Sequence, residues 1–232
     1  MAEFEEYNQR YYESRNLHAD ISRRDARTIL LLTRPGLGEK ILDLGCGLGH
    51  YCNLFASYGA SVVGVDISNY AISKANDTYG MNSKLRFVCQ DALKIDYNGE
   101  FDKVLCSHVI EHLTPQERGV LLQNIFNALK ADGLLVLALP LFESELPRHV
   151  FSRLTHGRRG TDPHHRSQFT LDGLQADLSK AGFIIKETWL LSTLGSYRMP
   201  LSLAKLPLLR SILIGAVAVV ATKDMQIKSK TG

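Results

Sequence analysis

The chain carries little excess charge of either sign, and that narrows its partners. Lys and Arg number 27 against 24 Asp and Glu over 232 residues. A surplus of three is too mild to argue for a nucleic-acid-binding face, so nucleic acid is not expected as a partner. Cysteines are few: Cys46, Cys52, Cys89 and Cys106 show no metal-ligand spacing, and no metal is expected. Three of them fall in or beside apolar strand-like runs, so the set reads as buried free thiols in a reducing, cytoplasmic setting. The acidic start, Met1-Ala-Glu-Phe-Glu-Glu-Tyr7, has no apolar core, so no secretory leader is expected. The uncharged run 211–222 is too short to span a bilayer as a helix. No internal repeat, low-complexity tract or linker interrupts the chain. It is therefore expected to form a single domain over 1–232, with a lead-in at 1–36, a core at 37–140, an irregular segment at 141–169 and a closing part at 170–232. The oligomeric state is left open.

What the sequence does hold is ordinary soluble-protein composition, 45% hydrophobic and 22% charged, arranged in a regular alternation. A helix over 22–32 is stopped by Pro35-Gly36. Strand-like 41–44 leads to a helix over 50–58, and strand-like 62–65 to a helix over 68–79 with Ser68 as its cap. Strands at 85–89 and 103–106 follow. Thr114-Pro-Gln-Glu117 then places an N-cap Thr, a Pro at the first helical position and a Glu three residues after the cap. Leu121, Leu122, Ile125, Phe126 and Leu129 recur at helical spacing and should face a core. Asp132-Gly133 is expected to end that helix and 134–139 to be a strand. Residues 140–169 break the rhythm, which resumes with a helix over 170–180 and strands at 183–191 and 214–222. Such alternation implies an α/β fold: a doubly wound, mostly parallel seven-stranded sheet with helices on both faces.

In such sheets ligands bind at the carboxyl ends of the strands. The first four strands all carry polar residues there: Asp43 with the turn Gly45-x-Gly47-x-Gly49, then Asp66, then Asp91-Ala92, then Ser107-His108. Asp66 is placed to accept hydrogen bonds from two ribose hydroxyls, as an ionised carboxylate can. The glycine spacing departs from the dinucleotide fingerprint G-x-G-x-x-G. An acid just ahead of the turn repels a pyrophosphate but suits a ligand with a charged amine.

These residues resemble the class I S-adenosylmethionine-dependent methyltransferases. Asp43-Leu-Gly-Cys-Gly-Leu-Gly49 looks like their first motif, Val63-Gly-Val-Asp-Ile-Ser68 the second and Gln90-Asp-Ala92 the third. Residues 101–113 resemble the fourth and 129–135 the fifth, with a weaker likeness in His165-Arg-Ser-Gln-Phe-Thr170 and Ala181-Gly-Phe183, as in the small-molecule branch. The resemblance implies S-adenosyl-L-methionine as cofactor, S-adenosyl-L-homocysteine as product and a Rossmann-like methyltransferase fold. It implies that Asp43 holds the methionine ammonium and that Gly45, Gly47 and Gly49 leave room for the methionyl backbone. Asp66 would bind the ribose, Ile67 would pack on the adenine, and Asp91 with the Ala92 amide would meet the ring. Ser107 and His108 would lie by the methionyl group. An aromatic from the lead-in, Tyr7 or Tyr11, would cover the sulfonium. His108 and His165 are the candidate bases, and Glu111-His112 is read as a structural pair fixing the loop after the fourth strand. The segment 146–170 holds five arginines against Asp162, which admits a hydrated lid, an anionic acceptor or, with the apolar stretch 201–213, a lipid-like one. The reading is therefore a methyltransferase acting on a small-molecule acceptor, with oxygen slightly favoured over nitrogen or carbon. A nicotinamide oxidoreductase, a methyltransferase-like fold kept only for binding, and an RNA-modifying enzyme stand as the alternatives.

Overall fold

In a computed structural model of the chain, residues 8–14, 23–140, 170–192, 195–198 and 216–224 are described. They fall into two compact units. One comprises the described residues up to Cys106 together with Asn127–Leu134; the other comprises Ser107–Phe126 and the described residues from Leu135 onward.

The first unit holds helices α1 (Gln9–Ser14), α2 (Arg23–Thr33), α3 (His50–Ser57) and α4 (Asn69–Tyr79) and strands β1 (Lys40–Leu44), β2 (Ser61–Asp66) and β3 (Leu85–Cys89). It also holds all but the last residue of β4 (Phe101–Ser107). The order is β3-β2-β1-β4, and β1 pairs in parallel with both β2 and β4 while β2 pairs with β3. Ile41, Leu42, Leu44, Val65, Val104 and Leu105 are all fully buried, as continuous apolar strands of a parallel sheet require. Helix α3 lies hard against β2. A Cβ on Gly64 would stand 2.8 Å from the Cys52 Sγ and 2.9 Å from both the Cys46 Sγ and Phe87, so only glycine fits that strand position.

Sequence signals fix the helix ends. The Ser68 hydroxyl accepts from the Ala71 amide and caps α4. On α5 (Pro115–Ala128), Thr114 and Glu117 exchange bonds, each side chain accepting from the other's amide. This helix stops four residues earlier than its Asp132-Gly133 signal suggests, and β5 (Leu129–Pro140) starts at once. The Asn127 and Ala128 carbonyls accept from the amides of Gly99 and Glu100, which draws the chain into the sheet before the glycine is reached.

In the second unit α6 (Leu171–Lys180) is capped by the Thr170 hydroxyl. Arg118 of α5 makes an ion pair with Asp177 of α6 at 3.1 Å. Strand β6 (Phe183–Ser192) pairs antiparallel with β8 (Ala216–Lys223), with a bulge between Ile185 and Glu187, and antiparallel with β7 (Gly195–Arg198). The fold is thus the expected doubly wound, mostly parallel α/β type. The four-residue β7 is an eighth strand that no periodic signal marks. Among the described residues no helix is long and apolar enough to cross a membrane.

Candidate functional site

The glycine turn of the first unit is held by the strand beside it. After β1, the chain reverses through Gly45, Gly47 and Gly49 with φ of 73°, 51° and 81°, values open to glycine at little cost. The Val65 carbonyl at the end of β2 accepts from both the Gly45 amide (2.8 Å) and the Cys46 amide (3.1 Å). One Asp66 carboxylate oxygen accepts from the Gly47 amide and the other from the Ser68 amide, both at 2.8 Å. Asp66 is therefore a clasp between the turn and the start of α4. An ionised carboxylate has about four lone-pair sites, so the amides do not exhaust its capacity to accept from hydroxyl donors. Burial pushes the Asp66 carboxyl up, against the pull of the Ser68, Gly47 and Ile67 amides.

Beneath the turn is a buried cluster that spacing alone does not reveal. Asp43, 1% exposed, accepts from the Cys52 thiol at 3.2 Å, and Cys52 is hydrogen-bonded to Cys46. Burial, only partly opposed by the Cys52 bond, pushes the Asp43 carboxyl up to about 7. A carboxyl so poorly solvated gains from a cation, which suits an ammonium-bearing ligand at a glycine turn. The residues present therefore fit S-adenosylmethionine.

The third strand joins the same end of this unit: the Gln90 amide donates to the Asp66 carbonyl at 2.9 Å. Asp91 accepts from the Leu93 amide at 2.9 Å and caps the 3-10 turn Ala92–Lys94, so one of its oxygens is used in shaping the loop. Ile67 is half-buried. Of the lead-in aromatics, the structure buries Tyr12 rather than Tyr11. Tyr12 packs with Leu48 and Ala71, and a Cβ on Gly47 would stand 3.9 Å from its ring. It is hydrogen-bonded to Ser68, and burial, then the charge of Asp66, pushes its phenol up. Tyr11 is half-buried and meets the Tyr12 ring edge-on at 5.3 Å. No local signal marks this choice, since the Tyr70 ring 5.8 Å from Tyr12 comes from a distant part of the chain. Tyr7 lies outside the described residues.

All four cysteines are free, but Cys89 is exposed, contrary to the expectation that the thiols are buried. It closes β3, the edge strand of this unit's set, where burial is incomplete along the whole strand.

Ser107 and His108 belong to the second unit. Ser107 ends β4 and is half-buried. His108 follows in the left-handed region at φ 56°, which costs an L-residue about 1–2 kcal/mol. Its amide donates to the Ala138 carbonyl at 2.9 Å, and its Nδ1 lies 3.1 Å from the Glu111 carboxylate. His164, His165, the arginines of 146–170 and the apolar stretch 201–213 lie outside the described residues. Among the described residues no cluster suited to a metal is present.

Comparison with known proteins adds independent findings. Residues 42–137 match the family model described as a methyltransferase domain. The ubiquinone biosynthesis O-methyltransferase of Bradyrhizobium sp. (strain ORS 278) is 30% identical over 172 residues, 67% of each chain. The crystal structure of the PH0226 protein from Pyrococcus horikoshii OT3 has a TM-score of 0.68 at 21% identity, covering 93% of this chain and 99% of that one. A second crystal structure, of Burkholderia thailandensis 1,6-didemethyltoxoflavin-N1-methyltransferase, was solved with 1,6-didemethyltoxoflavin and S-adenosylhomocysteine bound. It has a TM-score of 0.64 at 20% identity, over 92% and 84% of the two chains.

Proposed function

The chain belongs to the class I S-adenosylmethionine-dependent methyltransferases and uses S-adenosylmethionine as its methyl donor; from that premise we propose that its acceptor is a small molecule methylated on a hydroxyl oxygen. The observation that carries the donor half of this reading is the glycine turn set between two buried strand-end acids, Asp43 and Asp66. The acceptor half is supported by the relative in Bradyrhizobium, which is named as an O-methyltransferase.

When bound, the cofactor supplies an electrophilic methyl group on a sulfonium. Asp43 would hold its ammonium, in the ionised form. Asp66 would accept from the ribose hydroxyls while its clasp on Gly47 keeps the turn shaped. Ile67, Asp91 and Ala92 would bound the adenine, and Tyr11 and Tyr12 would supply aromatic surface for the sulfonium. In this reading Ser107 would lie on the methionyl side, and His108 would serve as the base for an acceptor hydroxyl. The remainder of the acceleration comes from alignment and exclusion of water. An anionic or lipid-like acceptor, a role for His165 and a cytoplasmic location belong to the same proposal, and the free thiols support that location.

Two measurements test it. Calorimetric titration of S-adenosylhomocysteine into wild type and Asp66→Ala, with NAD as control, reads the donor site. Transfer of labelled methyl from S-adenosylmethionine to a panel of phenols, primary amines and carbon acids reads the acceptor. Absence of S-adenosylhomocysteine binding overturns the donor site as drawn. Transfer to amines or carbon but to no hydroxyl overturns the choice of oxygen.

A further inference from the structure

Glu111 is a carboxylate in a place where stability alone would favour an apolar side chain. It sits in the 3-10 turn Ile110–His112 just after β4, with its side chain 2% exposed. Oε1 meets the His108 Nδ1 at 3.1 Å, and Oε2 is buried with no hydrogen-bond partner among the described residues. Burying a carboxylate with one oxygen unmet is costly, and removing it would relieve that cost. The imidazole it holds is the opposite: its side chain is 64% exposed, on a backbone kept at φ 56°. A buried anchor gripping an exposed ring through one nitrogen, on a strained backbone, is an arrangement that fixes orientation.

We propose that Glu111 is a positioning residue that holds His108 as its Nδ1–H tautomer, so that Nε2 is the basic nitrogen for an acceptor hydroxyl. This rests on the reading of His108 as the base given above. In neutral imidazole one nitrogen donates and the other accepts, and an ionised carboxylate can only accept, so a bond to ionised Glu111 puts the proton on Nδ1. With the cofactor bound, the hydroxyl proton would pass to Nε2, the oxygen would bond to the methyl carbon, and the electron pair of the broken carbon–sulfur bond would stay on sulfur. The imidazolium then has both nitrogens protonated, with Nδ1–H on a carboxylate that offsets its charge. The later release of the Nε2 proton to water restores the starting tautomer.

The test is long-range proton–nitrogen correlation spectroscopy of the full chain labelled with nitrogen-15 histidine, with and without S-adenosylhomocysteine. His108→Gln identifies the His108 resonances. Glu111→Met removes the acceptor while keeping the volume, and Glu111→Asp and Glu111→Gln serve as second variants should the first fold poorly. The expected result is a dominant Nδ1–H form in the wild type, lost to the Nε2–H form in Glu111→Met and partly restored in Glu111→Asp. A wild-type ring found mainly as Nε2–H, or a tautomer ratio unchanged in Glu111→Met and Glu111→Gln, overturns the proposal. Because the tautomer is also read without ligand, failure of S-adenosylhomocysteine to bind is a separate result that counts against the donor site and leaves the Glu111 reading standing or falling on its own spectrum.

Discussion

Replacing Asp43 by Asn isolates the electrostatic cost of the buried acid. The carboxyl is pushed from its ordinary 3.8 up to about 7, chiefly by burial. A raised carboxyl binds more protons folded than unfolded, so the folded state loses stability as pH rises between the two values and the full penalty stands above the higher one. At 1.36 kcal/mol per unit, the whole window is worth on the order of 4 kcal/mol. Asn cannot ionise, so the stability difference, Asp43→Asn minus wild type, should widen by about 3 kcal/mol between about pH 4.5 and about pH 8, in favour of the variant. Titrating groups remote from Asp43 cancel in that difference. Urea denaturation of the cofactor-free chains at the two pH values reads it. The same acid should make binding proton-linked. If the ligand ammonium fixes Asp43 in its charged form, S-adenosylhomocysteine should release about 0.9 proton at pH 6 and about 0.1 at pH 8. Calorimetry in buffers of different ionisation enthalpy measures that release, and Asp43→Asn should abolish it while weakening binding. A stability difference that stays flat with pH, or binding heats indifferent to buffer at pH 6, would refute the reasoning.

Other substitutions probe the frame around the site. Asp66→Ala removes the clasp on the Gly47 and Ser68 amides together with the proposed ribose acceptor, and should weaken S-adenosylhomocysteine binding by roughly 1.5–3 kcal/mol, about ten- to a hundredfold, in a calorimetric titration. Gly64→Ala drives a methyl into two buried sulfurs and should destabilise by about 1–3 kcal/mol in denaturant, with part of the loss recovered by adding Cys52→Ala. Thr114→Ala breaks the cap of α5 and should cost about 1 kcal/mol, lowering the melting midpoint by about 2–4 °C in a thermal scan. A maleimide applied to the folded chain should label Cys89 alone, and mass spectrometry after unfolding should find all four thiols labelled.

Much of the fold and of the candidate site's framework is legible in the sequence because both rest on local signals. Apolar runs mark β1 and β2, Ser68 and the Thr114–Glu117 pair mark helix starts, and the turn at Gly45–Gly49 marks the reversal after β1. What escapes the eye depends on neighbours distant in the chain. The early start of β5 follows from amides at Gly99 and Glu100, and β7 has only its pairing with β6 to define it. Tyr12 rather than Tyr11 is buried because of where α1 sits against Leu48 and Ala71. The thiol of Cys52 reaches Asp43 because α3 lies so close to β2, and no motif spacing encodes that approach. Glu111 looked like half of a pair with His112, while its carboxylate bonds His108.

The Val65 carbonyl that receives both the Gly45 and Cys46 amides has a kinetic consequence. Loops usually trade their amide hydrogens with water through small local openings, whereas core strands do so only when large parts of the molecule come apart. Here the turn's amides are tied to the last residues of β2, a strand paired on both sides. Those amides should exchange at the slow rate of the sheet, and the turn should lose its shape only when the sheet itself opens.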